Sequence, residues 1–219
     1  MLKINLHTHR LIVGAPIQVL NIFAQDLPIT ASDQFYSAGL HPWHIGKVNE
    51  EACFQAIELA TKQKNMLAVG ECGLDRVIET DYEIQELYFI RQKDIAVKYA
   101  KPLIIHCVRA YSDLMKLKKA TRSEIPWILH GFNGNQETTF NLIRNGFYFS
   151  IGEALLKNQM KSEVVRIIPS DRLFLETDDQ KISIQEIYSI ASKLQGIEEV
   201  ELTETIFNNF KAVFGDIGF

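Results

Sequence analysis

Eight short apolar runs, rich in β-branched and aromatic residues, alternate with segments of helical period, and nothing else restricts the fold of this chain as strongly. Runs of this kind separated by amphipathic helices build repeated βα units around a parallel sheet. The strand candidates are Leu2–Leu6, Ile17–Phe23, Gln34–Leu40, Met66–Gly70, Leu103–Ile105, Trp127–Leu129, Gly146–Ile151 and Leu173–Leu175. Eight strands are what a TIM (β/α)8 barrel needs to close. Helices are read at Glu51–Lys64, Glu83–Tyr99, Tyr111–Lys119, Gln136–Asn145, Ile184–Leu194 and Glu199–Phe214. In the second of these, Ile84, Leu87, Tyr88, Ile95 and Tyr99 share one face at helical spacing, which marks it as the core-facing side. Pro102 and Pro126 each precede a strand and mark helix-to-strand boundaries, because the residue before proline avoids the helical region.

Between Arg10 and Phe35 there is room for a strand and turns but not for two ordinary barrel helices. The predicted fold is therefore an α/β, TIM (β/α)8-type barrel with abbreviated first βα units. No internal repeat, low-complexity tract or linker interrupts it, so residues 1–219 are expected to form a single barrel domain.

The ends of the apolar runs carry the chemistry. Of six histidines, five stand where such a run stops: His7 and His9, His41, His106 and His130. Glu71 and Asp178 end two more. In an α/β barrel the carboxyl ends of the strands converge on one face, and active sites draw residues from several of them. Imidazoles and carboxylates gathered there suit a divalent metal and hydrolysis.

Each residue also has a plainer reading. His7 and His9 lie two apart, so on a strand both rings face one way and can reach one ion; they could equally be a surface pair. Glu71, flanked by Gly70 and Gly73, could bridge two ions, or the glycines could make a turn with Glu71 in a salt bridge. Asp178 could be a ligand or the N-cap of the helix that follows. His106 and His130 could be ligands or hydrogen-bonded core histidines.

Composition narrows the partners. The formal net charge of −4 argues against a dedicated binder of long duplexes, which usually presents a basic face to phosphates. Two bound divalent ions would offset that deficit locally, so phosphate esters remain possible substrates. No apolar run approaches the ~18 residues of a membrane span, and the start of the chain lacks the zones of a signal peptide. Cys53, Cys72 and Cys107 are odd in number and contain no CxxC pair, which speaks against a disulfide framework or zinc knot. A cytoplasmic protein is expected, with no membrane and no protein partner indicated.

The ordered series HTH, GLHPW, GECGLD, PLIIHC, ILHGF and LETD, running from about Leu2 to the closing ETIFNNFKAVFG, resembles the TatD-family metal-dependent hydrolases of the amidohydrolase-like superfamily. The resemblance implies a TIM-barrel-like fold, a two-metal site and phosphodiesterase or deoxyribonuclease activity. On its residues, His7, His9 and Asp178 would hold one ion and His106 and His130 the other, with Glu71 bridging. Asp178 would both ligate and accept a proton from the attacking water, a general base. His41 and Arg109 would steady the substrate phosphate. Mixed N/O ligands leave Zn, Mg, Mn and Co open, and the number of imidazoles favours a zinc-like ion.

Three departures from the family pattern bear on substrate. Asn5 stands where an Asp is usual, Arg109 is displaced by one residue, and Asp178 is followed by Asp179-Gln180-Lys181 in place of Ala-Pro and a long loop. Two other readings compete. The opening NLHTH also resembles PHP phosphoesterases, against which GLHPW and GECGLD speak. A non-enzymatic binding protein with a vestigial metal site is the other, favoured by the short loop and opposed by the intact ligand set.

Overall fold

The computed structural model describes residues 2–12, 17–28, 34–157 and 162–217. Its strands are β1 (Ile4–Thr8), β2 (Ile17–Phe23), β3 (Tyr36–Gly39), β4 (Met66–Asp75), β5 (Leu103–Val108), β6 (Trp127–Leu129), β7 (Phe147–Ile151) and β8 (Leu173–Leu175), in a sheet whose order follows the chain. The helices are α1 (Glu50–Ala60), α2 (Tyr82–Lys98), α3 (Tyr111–Thr121), α4 (Gln136–Arg144), α5 (Glu153–Leu156), α6 (Ser162–Ile167), α7 (Ile184–Gln195) and α8 (Glu199–Phe214). Pairing is parallel between β2 and β3, β3 and β4, β4 and β5, and β7 and β8. Thr8 at the end of β1 forms a parallel bridge with Asp178, just past β8, so the first and last strands are neighbours. That connectivity is the (β/α)8-type barrel expected from the sequence.

Among the described residues between Arg10 and Phe35, β2 and a 3-10 turn at Ala24–Asp26 are present and no α-helix is, in keeping with abbreviated first units. Residues 13–16 and 29–33 of that stretch lie outside the described residues.

Two compact units divide the chain: Met1–Val19 with Leu129–Phe219, and Leu20–Ile128. In the first, every residue of β1 and of β8 is buried, the pattern of parallel strands covered on both faces. The Ile4 N–H donates to the Tyr188 hydroxyl at 2.9 Å, and that hydroxyl lies 3.1 Å from the Ile4 carbonyl, which ties α7 to β1. Burying side chains such as Ile4, Leu6 and Phe174 supplies roughly 1.5–3 kcal/mol each.

In the second unit β4 is buried along its whole length and runs to Asp75, five residues beyond the predicted end. The reason is glycine. Gly70 (φ 147°) and Gly73 (φ 157°) press against β5 so closely that a Cβ would sit 2.2 Å from the Ile104 carbonyl oxygen and 1.9 Å from that of His106. The two glycines therefore continue the strand rather than turn it, and Glu71 lies inside β4. The Gly70–Glu71 peptide is cis.

The buried face of α2 also differs from the expectation. Ile84 and Leu87 are exposed, while Gln85, Phe89, Gln92, Lys93 and Ala96 face inward. Strand ends left open main-chain groups there, and amides suit those better than hydrocarbon. The Leu40 N–H donates to Gln92 Oε1 (2.8 Å) and Gln92 Nε2 donates to the Leu40 carbonyl (3.1 Å). Gln85, two turns earlier, takes the Asp75 N–H (2.8 Å) and donates to the Asp75 carbonyl (3.1 Å). Gln92→Ala leaves the Leu40 N–H and C=O buried and unpaired, at about 1–3 kcal/mol for each group. Urea denaturation is expected to show a loss of that size, whereas Leu87→Ala on the exposed face should cost less than about 0.5 kcal/mol.

Candidate metal centre

In the first unit, His7 lies in β1 and His9 just beyond it, beside Asp178 past β8. The Asp178 N–H donates to the His7 carbonyl at 3.0 Å and the His9 N–H to the Asp178 carbonyl at 3.1 Å. This ladder sets three side chains side by side. Asp178 Oδ1 lies 3.5 Å from His7 Nε2 and 3.3 Å from His9 Nε2, and their ligand atoms all fall within 4.8 Å of one another. Asp178 adopts a left-handed backbone (φ 53°), which Asp and Asn tolerate better than most residues. It does not cap the next helix: α7 starts at Ile184 with Ser183 before it. Burial would raise the Asp178 carboxyl pKa. Hydrogen bonds from His7 and His9, with the His130 imidazole nearby, overcome that and hold it far below the usual carboxylate range.

His130 follows β6, its ring 4.4 Å from that of His7. Behind it stands Glu176, which is not among the residues expected from the sequence. Glu176 Oε1 accepts the Gly131 N–H at 2.6 Å and lies 3.5 Å from His130 Nδ1. Its other oxygen is buried with no hydrogen-bond partner among the described residues. Spacing could have found it, since Glu176 and Asp178 are two apart at a strand end, as His7 and His9 are. Asn5 holds this end together: its amide donates to Thr177 Oγ1 (2.8 Å) and its carbonyl oxygen accepts the Thr177 N–H (2.9 Å).

In the second unit, His41, Glu71 and His106 form another group whose ligand atoms lie within 4.8 Å of one another. His41 Nδ1 accepts the Trp43 N–H at 3.1 Å, so its proton sits on Nε2, 3.0 Å from Glu71 Oε1. His106 lies between two carboxylates, with Nδ1 3.1 Å from Glu71 Oε1 and Nε2 3.1 Å from Asp75 Oδ2. Burial raises the Asp75 pKa, but bonds from His106, the Trp43 indole and the Val77 N–H prevail and lower it to about 2. An ionised Asp75 cannot donate, so His106 Nε2 carries the proton toward it. His106 Nδ1 and the Glu71 carboxylate, 3.1 Å apart, are both atoms that a cation could take as ligands. The donor set thus fits a divalent ion.

A carboxylate behind a ligating histidine fixes its tautomer, and losing such a partner costs about 10–100-fold in metal affinity. Asp75→Asn is expected to weaken binding of the ion by that factor in a chelator competition; unchanged affinity would leave Asp75 a purely structural residue.

Arg109 stands exposed in the turn after β5 with a left-handed backbone (φ 54°), and no hydrogen bond or ion pair among the described residues joins it to the cluster. Asp75 and Trp43 lay in the motifs GECGLD and GLHPW, yet nothing in their spacing marked them; their role depends on contacts between β4, β5 and the turn after β3.

A barrel whose strand ends carry two groups of imidazoles and carboxylates defines the class of metal-dependent hydrolases. Within it the chain belongs to the TatD related DNase family, whose model matches residues 23–215. It is 30% identical over 204 residues to an uncharacterized metal-dependent hydrolase of Buchnera aphidicola, covering 82% of this chain and 76% of that protein. It is 32% identical over 161 residues to the 3'-5' ssDNA/RNA exonuclease TatD of Escherichia coli, covering 71% of this chain and 61% of that enzyme. The crystal structure of another Escherichia coli TatD homolog superposes with a TM-score of 0.83 at 18% identity, covering 97% of both chains.

Proposed function

We propose that this chain is a phosphodiesterase acting on nucleic acid through divalent metal, in one catalytic domain. The observation that carries the reading is the His41–Glu71–His106 group, whose ligand atoms lie within 4.8 Å of one another, with Asp75 behind His106 at 3.1 Å. His7, His9 and Asp178 would hold one ion and His106 and His130 the other, with Glu71 as a ligand to both. Bound divalent ions polarise a phosphoryl oxygen and lower the pKa of water. Asp178, beside its ion, would accept the proton of the attacking water. His41 presents its Nε2–H and Arg109 its guanidinium to the phosphate. Glu176 steadies His130 from behind. A cytoplasmic location agrees with three free cysteines and with the absence, among the described residues, of a helix long and apolar enough to cross a membrane.

The substrate is inferred from what is short. Five residues, 179–183, separate Asp178 from α7, where the family pattern has a long loop. Fewer groups remain to grip phosphates on either side of the scissile bond, and a net charge of −4 offers no long-range attraction in their place. Short or single-stranded phosphodiesters are the preferred substrates.

The test is to reconstitute the protein with Zn²⁺, Mn²⁺ or Co²⁺, count metal, and compare kcat/KM on a nitrophenyl phosphodiester, a short single strand and duplex DNA. About two ions per chain are expected, as for a two-metal clamp, with one lost in the His7→Ala/His9→Ala variant. The two small substrates should exceed the duplex. No stoichiometric metal would make the histidines structural; metal without hydrolysis would favour the binding-protein reading, and preference for duplex would overturn the substrate assignment.

A further inference from the structure

Beside the His41–Glu71–His106 group stands a large aromatic side chain in an unusual condition. Trp43 is 51% exposed, although it is held at both ends of the residue. Its main-chain N–H donates to His41 Nδ1 (3.1 Å) and its indole Nε1–H to Asp75 Oδ2 (2.9 Å). It lies in a 3-10 turn, Pro42–His44, that starts on a buried proline. The indole is therefore both rigid and open to solvent, with its ring centre 4.8 Å from that of His41 and 5.7 Å from that of His106. Leaving so much apolar surface in water forgoes the stabilisation of burial. A fixed aromatic plane offers a ligand stacking at little cost in ordering.

We infer that Trp43 is a stacking platform for a nucleobase of the substrate, the base one sugar away from the phosphate held at His41. This rests on the hydrolase reading above and deepens it, because it says which part of the substrate is gripped. Every base has a π-face, so such a platform is indifferent to sequence. In a duplex that face is covered by neighbouring pairs, and exposing it costs a few kcal/mol of unstacking. A single strand presents it freely. Trp43 thus selects nucleotides over simple phosphodiesters and single strands over duplexes.

The full-length, metal-loaded protein is titrated with two phosphorothioate-linked single strands of equal length, one base-bearing and one abasic. The sequence holds two tryptophans, and Trp127 is fully buried, so quenching of emission by the strand reports on Trp43. The base-bearing strand is expected to quench and the abasic strand not to. Trp43→Ala should weaken binding of the base-bearing strand about tenfold, the scale of one lost base–aromatic stack. The abasic strand should lose far less. Trp43→Phe keeps a ring but loses the indole N–H, and should retain most of the affinity.

Equal losses on both strands, no quenching, or no binding of the base-bearing strand by the wild type would each overturn the platform. So would Trp43→Phe falling as far as Trp43→Ala, which would make the indole a positioning residue for Asp75. Failure to hydrolyse a nitrophenyl phosphodiester overturns the hydrolase reading instead, and leaves quenching and the ratio of affinities to judge Trp43.

Discussion

Asp178→Asn is expected to lower turnover by ~10²–10⁴, the usual loss when a general base is removed, in a protein that still folds. The main chain of Asp178 is paired with His7 and His9 through its N–H and C=O, and neither bond uses the carboxylate. Asn accepts the same left-handed backbone and keeps an oxygen near both imidazoles. What it lacks is the charge and the capacity to take a proton. The measurement is kcat with a phosphodiester, beside urea denaturation to verify the fold. Near-normal turnover would remove Asp178 from the chemistry.

Glu71→Gln is expected to be as damaging for a different reason. Glu71 is buried, with Oε1 3.0 Å from His41 Nε2 and 3.1 Å from His106 Nδ1, and its main-chain N–H donates to Asn21 Oδ1 at 2.8 Å. A glutamine is isosteric but neutral, and it removes the anionic oxygen that both imidazoles approach. Without that charge the group should hold a divalent ion far more weakly. The Lewis acid contributes several kcal/mol, so losing the ion should cost ~10³-fold or more in turnover. Stability supplies a second signature. Without metal the variant should be at least as stable as the wild type, because a buried carboxylate is replaced by a neutral amide. Added metal should stabilise it far less, since ligand binding to the native state is what raises the transition. Retained metal uptake and turnover would show that Glu71 is not a ligand.

Residues of each group were legible because strand-end chemistry is local. The runs Ile17–Phe23, Trp127–Leu129 and Leu173–Leu175 are strands with the boundaries that their apolar composition predicts, and α8 runs from Glu199 to Phe214 as its periodicity predicts. HTH places two rings on one side of a strand by the geometry of the chain alone. Short elements escaped: α5 has four residues, Glu153–Leu156, and α6 has six, Ser162–Ile167, too few for a helical period to emerge.

By itself the sequence determined the strand count and the barrel class, because period and strand-end position are properties of neighbouring residues. Tertiary structure decided the rest. Gly70 and Gly73 extend β4 only because β5 lies against them, and Gln85 and Gln92 turn inward only because strand ends offer them main-chain groups. Asp75, Trp43 and Glu176 gain their roles from partners 31, 32 and 45 residues away. A hydrogen bond depends on where its partner is, and only folding brings such partners together.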